Sequence, residues 1–251
     1  SAPGTEPSVR RIREPLVIAL PLTVQSVVRT LVPEVGHVAL LDGQEIALPD
    51  YSPQAVDEAI TNALVHRDWT SPQCVVIDHA PQAMRVKSPG GLPVGVARDR
   101  LLITVSTPRN PALMSAMQQL GLVERASRGI DRMFREQIRV GQAAPTIDTD
   151  DFSVEVLFTS GAPNRAFAGF VAGLPESRRG SVDAMLALRE LCRRSVIDRA
   201  GSARLLQVSE DEAEHKMDVL GAGTEPLIQR DGDRKKGVRW RLRPEVSAAL
   251  G

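Results

Sequence analysis

One segment constrains the fold more than any other, because it reads as a helix with one apolar side and one polar side. Ser52 is a typical N-cap residue, and Pro53 suits the first helical position. Apolar residues then recur at spacings of three and four, namely Val56, Ala59, Ile60, Ala63 and Leu64. Glu58, Asn62 and His66 are each four residues apart and share the other side. The segment is therefore predicted to pack on a core beneath a ridge of three polar groups.

Short β-type runs lie on both sides of this helix. Residues 37–48 hold two apolar runs around Asp42 and Gly43, a pair that suits a two-residue hairpin turn. Two more runs, 74–78 and 84–87, are expected to pair as strands, and 153–158 alternates like a further strand. The strands therefore come as hairpins and not as isolated parallel strands.

Two more helices are predicted between these strands. Asn110 is expected to cap the first, with Gly121 after its end, and Ser127 to cap the second, with Gly141 after its end. Helices and hairpins mix without strict strand–helix alternation. This order predicts an α+β fold.

Length and charge suggest two domains. The chain has 251 residues, and its 31 Lys and Arg balance 31 Asp and Glu, which excludes binding to nucleic acid through overall basicity. Residues 1–177 hold 16 basic against 19 acidic side chains, whereas 178–251 hold 15 against 12. A segment rich in Gly, Ala and Pro, 159–180, is expected to link the domains, with Phe167, Phe170 and Val171 packing on a neighbour.

The apolar runs and the cysteines indicate where in the cell the protein is expected. No apolar run approaches the ~18–20 residues that span a bilayer, so no membrane association is expected. Cys74 and Cys192 give neither a disulfide framework nor metal-ligand spacing. A cytoplasmic location is predicted.

Four stretches, taken in order, resemble a known family: 51–69, 88–93, 109–111 and 124–133. Together they are similar to the C-terminal domain of the RecG-related ATP-dependent helicase family of bacteria, many of whose members look like transcriptional regulators. In that family the domain follows a Schlafen-type (divergent AAA) domain and is compared with the GHKL, or Bergerat, ATPase fold. The resemblance covers roughly 37–158, so 1–36 is expected to be a tail with room for a remnant of the preceding domain.

The resemblance implies a GHKL-like two-layer α/β sandwich that uses ATP and Mg²⁺. Glu58 matches the general base and Asn62 the magnesium ligand, and their spacing of four places both on one side of the helix. Gly90 and Gly91 match the first glycine loop, whose backbone N–H groups approach phosphates, and Gly129 lies in the later lid segment. The other residues expected around the nucleotide are His66, Ser88, Arg109 and Arg128.

Three departures weigh against catalysis. Ser88 stands where GHKL enzymes place the adenine-reading Asp, and Ser127-Arg128-Gly129 replaces a Gly-X-Gly triplet. Neither glycine loop is followed by Lys. The alternatives are a solvated helix face and a plain Gly-Gly turn with no cofactor, so enzyme activity stays undecided and is not favoured.

Residues 181–251 read as three helices and a hairpin, an order that resembles a winged helix-turn-helix. Ser209 and Glu212 form a capping box at the start of the third helix, and that end is acidic. The hairpin is basic, so DNA contact is expected to be led by the wing, mostly through phosphates, with weak sequence specificity. The expected contacts are Arg230, Arg234, Lys235, Lys236, Arg239 and Arg241. A protein-binding winged helix is the alternative.

These observations favour a transcriptional regulator. It would join a degenerate GHKL-like domain, for nucleotide or ligand binding or for homodimerisation, to a DNA-binding winged helix. One alternative is a Mg²⁺-dependent ATPase that uses Glu58 and Asn62. Another is a protein-interaction scaffold without a ligand.

Overall fold

A computed structural model describes residues 8–40, 43–105, 107–123, 129–223, 225–232 and 237–250. Helices alternate irregularly with antiparallel strands, which confirms the predicted α+β class. Among these residues, none of the helices combines the length and apolar character required to cross a membrane.

The N-terminal part holds a helix and a hairpin. Helix α1 spans Leu16–Leu31 and packs on the next helix through the buried Leu20 and Val27. Strands β1 (Glu34–Ala39) and β2 (Glu45–Pro49) pair antiparallel, as the Asp42-Gly43 turn predicted, although Asp42 itself lies outside the described residues.

Helix α2, Pro53–Val65, is the amphipathic helix that the sequence predicts. The Ser52 hydroxyl accepts a hydrogen bond from the Ala55 N–H at 3.3 Å, which confirms the cap. The predicted apolar side is buried, with Val56 and Ile60 fully inaccessible. Gln137 Oε1 accepts a hydrogen bond from the Ser52 N–H at 2.8 Å, so a distant helix also fixes the start of α2.

The main sheet has the order β3-β4-β6-β5, with antiparallel pairs throughout. Its strands are β3 (Val76–Ala80), β4 (Ala83–Pro89), β5 (Thr146–Thr149) and β6 (Ser153–Thr159). The sequence did not predict β5, a four-residue edge strand. Buried side chains of β4 and β6, Met84, Val86, Val156 and Phe158, share a core with α2, so helices cover one face of the sheet.

Helices α3 (Pro111–Gln119) and α4 (Gly129–Arg139) were both predicted, and α3 begins at Pro111 after Asn110 as expected, but without the side-chain cap hydrogen bond. The Asn110 amide donates 2.8 Å hydrogen bonds to the carbonyls of Val65 and Arg67, just beyond α2, instead of capping α3. The predicted cap of α4, Ser127, lies outside the described residues. Asn110 therefore satisfies backbone carbonyls that the end of α2 leaves open.

The segment 159–180 is largely helical. It contains α5 (Arg165–Ala172) and α6 (Glu176–Arg179). Phe167 and Val171 are buried in the core of the C-terminal region, which agrees with the predicted packing of this segment. The domain boundary itself stays a prediction.

The C-terminal region runs helix, strand, helix, helix, strand, strand, helix. Its elements are α7 (Val182–Arg193), β7 (Ile197–Asp198), α8 (Arg199–Leu206), α9 (Glu210–Leu220), β8 (Ile228–Asp231), β9 (Arg239–Leu242) and α10 (Pro244–Ala249). The strands pair in the order β7-β9-β8 around the fully buried Trp240. The predicted cap of α9 is confirmed, because Ser209 Oγ accepts a hydrogen bond from the Glu212 N–H at 3.3 Å.

Helix α8 begins three residues later than its apolar pattern predicted. The sequence places its start at Val196, but Ile197 pairs with Trp240 in the sheet. The Asp198 carboxylate then caps the helix by accepting a hydrogen bond from the Gly201 N–H at 2.7 Å. Pairing with a distant strand therefore overrode the local helical pattern.

Helix α4 joins the two cores. Its Met133 is buried with α2 and the main sheet, whereas its Ile138 is buried with α7 and Trp240. Phe134, between them, packs against both cores. Helix α4 therefore contributes to the core of both regions.

Candidate functional site

A cavity of about 970 Å³ lies where the two cores meet. Its walls come from α2, the main sheet, the start of α4, the segment 92–105 and the first turns of the C-terminal region. We call 92–105 the cover segment; it contains a 3₁₀ turn at Arg98–Arg100. The cavity therefore includes residues of the C-terminal region, whereas the sequence predicted a pocket within 37–158.

Six of the predicted site residues line this cavity: Asn62, His66, Ser88, Gly90, Gly91 and Gly129. Glu58 and Arg109 lie next to it without lining it. Arg128 lies outside the described residues. The ridge on α2 is half-buried, so it is not a solvated helix face.

Glu58 and Asn62 contact each other. The Asn62 Nδ2 donates a hydrogen bond to Glu58 Oε1 at 2.9 Å. The Glu58 carboxylate also lies close to Gly129, so a Cβ at residue 129 would require this side chain to shift. The Glu58 carboxylate thus lies between α2 and the start of α4.

The twin glycines are required by packing within the protein. Gly90 has φ +94°, and a Cβ there would lie 2.7 Å from Asp68 Cβ. A Cβ on Gly91 would lie 2.5 Å from the Asp150 carbonyl oxygen. Close approach of the backbone to its own chain therefore explains both glycines, and a phosphate is not needed to account for them.

His66 is held as a neutral side chain. Burial, and then the nearby Arg109 cation, lower the pKa of His66. Its Nδ1 accepts a hydrogen bond from the Arg109 N–H at 3.5 Å, and Arg109 Nη2 donates to the Gly91 carbonyl at 2.6 Å. Arg109 thus ties the glycine loop to its neighbours, and the imidazole offers uncharged hydrogen-bonding groups at neutral pH.

Ser88 also makes an internal contact. Its hydroxyl is buried and donates a hydrogen bond to the Ala63 carbonyl on α2 at 2.7 Å. A serine here carries no charge, unlike the Asp that GHKL enzymes use to read adenine. Ser88 also lines the cavity.

The cations of the described cavity wall are paired. Lys216 Nζ lies 3.0 Å from Asp183 Oδ2. Arg135 Nη2 lies 2.9 Å from Glu136 Oε1, and its Nη1 donates to the Gly180 carbonyl at 3.2 Å. A polyphosphate would have to compete with these contacts for positive charge.

Mg²⁺·ATP fits the described residues poorly. The candidate base Glu58 is hydrogen-bonded to the candidate metal ligand Asn62. The space next to Gly90 and Gly91 is occupied by other atoms of the chain, and the cations of the cavity wall are paired with carboxylates. In the described ranges, no three His, Cys, Asp or Glu side chains come close enough together to hold a metal ion. The roles predicted for Glu58 and Asn62 stay predictions.

The glycine loop and the main sheet are similar to a known protein family. Residues 73–158 match the family model described as "Putative ATP-dependent DNA helicase recG C-terminal". This RecG-related segment holds β3 to β6, the glycine loop and the cover segment. The match begins after α2, so it includes neither Glu58 nor Asn62, and it is shorter than the 37–158 that the sequence predicted.

One solved structure extends the likeness to most of the chain. The DIP2311 protein from Corynebacterium diphtheriae is 27% identical and superposes with a TM-score of 0.76 over 93% of this chain. The chain spans about half of that protein, since the match covers 47% of it. No curated protein matches the sequence significantly.

Of the basic residues predicted to contact DNA, some are exposed and one is paired with carboxylates. Arg230 lies 2.6 Å from both Glu214 and Asp218, so it links β8 to α9. Arg239 and Arg241 are exposed on β9. Arg234, Lys235 and Lys236 lie outside the described residues.

The acidic start of α9 is also held internally. Arg199 contacts Glu210, Asp211 and Glu214. With Arg230 on the other side of Glu214, cations from α8 and β8 neutralise part of the acidic end. These contacts fix α9 to its neighbours and leave its N-terminal turn unsuited to facing phosphates.

Sequence reasoning missed part of the cavity wall. It did not identify the cover segment, although the run from Leu101 to Val105 is apolar and follows a glycine loop. It also missed Leu206 and Lys216, which line the cavity from α8 and α9. No local signal marks these two, because they lie about a hundred residues beyond the cover segment.

Proposed function

We propose that the chain is a ligand-binding regulatory module whose cavity binds a small molecule without hydrolysing it. The observation that carries this proposal is the cavity itself, on which six predicted site residues converge while the candidate base lies off its wall. The RecG-related segment supports descent from a nucleotide-binding domain. The contacts of Glu58 support the loss of turnover, since a general base must reach a water beside the ligand.

The alternative enzyme is a Mg²⁺-dependent ATPase that uses Glu58 and Asn62. The ATP-dependent description of the matching family favours it. It requires the Asn62–Glu58 hydrogen bond to open, so that the amide oxygen can reach a metal and the carboxylate a water. This requirement makes the two functions separable by experiment.

The test combines a binding assay with a turnover assay on the intact protein. Adenosine, ADP and Mg²⁺·ATP are titrated by calorimetry, and phosphate release from ATP is followed in parallel. We expect saturable binding of at least one of them at the cavity, weakened by Asn62→Ala, and no phosphate release above background. Phosphate release that Glu58→Ala abolishes and Asp57→Ala preserves would establish the ATPase instead.

Asp57 is a matched control for Glu58. It is the preceding residue on the same helix, and its carboxylate accepts a hydrogen bond from Thr61 at 3.2 Å, away from the Asn62 pair. Both changes remove one carboxylate from α2. Only the Glu58 change alters the group next to the cavity.

We further propose that the C-terminal region is a winged helix that contacts DNA weakly and makes the module a transcriptional regulator. The order of elements from α7 to β9 and the sheet order β7-β9-β8 support this proposal. The exposed Arg239 and Arg241 on β9 favour contact led by the wing. An interaction scaffold, by contrast, predicts no ligand and no DNA binding.

A further inference from the structure

One side of the cavity wall is aliphatic. The cover segment contributes six apolar side chains: Leu92, Val96, Leu101, Leu102, Ile103 and Val105. The main sheet adds four valine and isoleucine side chains beneath them, and α8 adds the fully buried Leu206. Polar groups come from α2 and the end of β4 on one side, and from the C-terminal region on the other, where Ser181, Asp183 and Lys216 line the cavity. A ligand that lies against the cover segment and the sheet therefore meets mainly hydrocarbon.

The charges on the wall favour an uncharged ligand. Lys216 and Arg135 are each paired with a carboxylate, and His66 is neutral at neutral pH. A charged ligand would lose its hydration and would have to break one of these pairs to regain a partner. An uncharged ligand neither loses the hydration of a charge nor has to break an ion pair of the wall.

The cover segment contacts both the main sheet and the C-terminal region. Gln207 Oε1 accepts a hydrogen bond from the Leu102 N–H at 2.8 Å, and Arg98 Nη1 lies 2.8 Å from Asp148 on β5. Gln207 has φ 57° in the turn between α8 and α9, and its neighbour Leu206 lines the cavity. The apolar wall is thus preformed and directly attached to the C-terminal region.

We propose that this cavity binds an uncharged, mainly apolar small molecule between the cover segment and Leu206, with a polar end hydrogen-bonded at Asn62, His66 or Ser88. The proposal rests on the proposed function, because it names the ligand class of the same cavity. Such a ligand touches α8 and α9 through Leu206 and Lys216, on either side of the Gln207 turn. Occupancy therefore acts directly on the helices of the C-terminal region.

The test uses N-phenyl-1-naphthylamine, an uncharged apolar fluorophore, and two valines of the cover segment. Val96 lines the cavity, whereas Val94 is fully exposed and does not. Val96→Asn is expected to weaken binding of the fluorophore by about tenfold or more, because the lost apolar contact is replaced by an amide that must be desolvated. Val94→Asn is expected to bind as the unchanged protein does.

The proposal would be overturned by no saturable binding of the fluorophore, or by equal affinity of the Val94 and Val96 variants. A further variant, Leu22→Asn, checks that the exposed apolar side of α1 is not the binding surface, and it should bind unchanged. Melting temperatures of all variants are measured to confirm that each is folded. Loss of fluorophore binding in Leu22→Asn but not in Val96→Asn would also overturn it.

The nucleotide titration separates this inference from the proposed function. If adenosine or ADP binds at Asn62 and the fluorophore does not bind, the ligand class is wrong and the proposed function stands. If ATP is hydrolysed through Glu58, the proposed function is wrong whatever the fluorophore does. Binding of the fluorophore that depends on Val96, without turnover, supports both.

Discussion

Asn62 donates a 2.9 Å hydrogen bond to Glu58, one turn earlier on α2, and so joins the two side chains that a GHKL-type ATPase would need separately. The same carboxylate lies close to Gly129 at the start of α4. The pair therefore lies where α2 and α4 meet beside the cavity. The first prediction concerns its charge.

Asn62→Asp would place two carboxylates at this short distance. Their repulsion raises the folded-state pKa of one carboxyl above its unfolded value, which destabilises the fold at neutral pH and is relieved as the pH falls through that raised pKa. We expect a loss of about 1–2 kcal/mol at neutral pH, equivalent to a shift of about one unit or more. Urea unfolding at neutral and acid pH measures it.

The double variant Glu58→Gln with Asn62→Asp is the control. It exchanges the amide and the carboxylate and restores the hydrogen bond in the opposite direction, so most of the lost stability should return. A double variant as unstable as Asn62→Asp alone would show that the contact between the two side chains does not carry the effect.

The glycine loop gives a second prediction. Gly91→Ala forces a Cβ to 2.5 Å from the Asp150 carbonyl oxygen, and a backbone atom cannot move aside easily. We expect a loss of about 1–3 kcal/mol of unfolding free energy, as for overpacking in general. Gly161→Ala, which meets no atom within 4 Å, should change stability little. Equal urea midpoints for the two variants would contradict the packing explanation.

A third prediction follows from His66. Its pKa is lowered in the fold, so the unfolded chain binds the proton more readily as the pH falls below the ordinary value of 6.5. The folded state therefore loses stability on acidification through this window, and His66→Gln removes that part of the loss. His215→Gln, on the exposed side of α9, is the control. The measurement is the urea midpoint as a function of pH. A pH dependence in His66→Gln equal to that of the unchanged protein would show that His66 does not cause the loss of stability.

The fourth prediction separates two arginines of the C-terminal hairpin. Arg230→Ala breaks the contacts to Glu214 and Asp218, so it should lower stability by at most about 1 kcal/mol, since these pairs are partly exposed. Arg241→Ala should leave stability unchanged but weaken binding to random duplex DNA at low salt and reduce its salt dependence. Equal DNA affinity of the Arg241 variant and the unchanged protein would remove β9 from the DNA contact.

Local patterns predicted the local parts of this fold. The Ser52 cap and the apolar side of α2 were correct because both depend on residues within one helix. Features that depend on distant residues were missed: Asn110 binds the carbonyls that follow α2, and Ile197 pairs with Trp240. A pattern within ten residues holds no information about either partner.

The candidate site was predictable to the same extent. Helical spacing alone set the common side of Glu58, Asn62 and His66, whereas the pocket beside them was predicted from the family resemblance. Whether Glu58 faces a ligand or Asn62 depends on where α4 begins, and the spacing does not show that. The apolar wall and Leu206 come from packing between separate regions, so the ligand class appears only in three dimensions.

The most direct test of a binding cavity without turnover is a two-dimensional NMR titration of the labelled protein with ADP and with N-phenyl-1-naphthylamine. We expect saturable shifts of the Asn62 side-chain amide and of the Gly90 and Gly91 backbone amides with at least one of these ligands, and no conversion of added ATP over the same period. Shifts confined to residues away from the cavity, or steady release of phosphate from ATP, would contradict it.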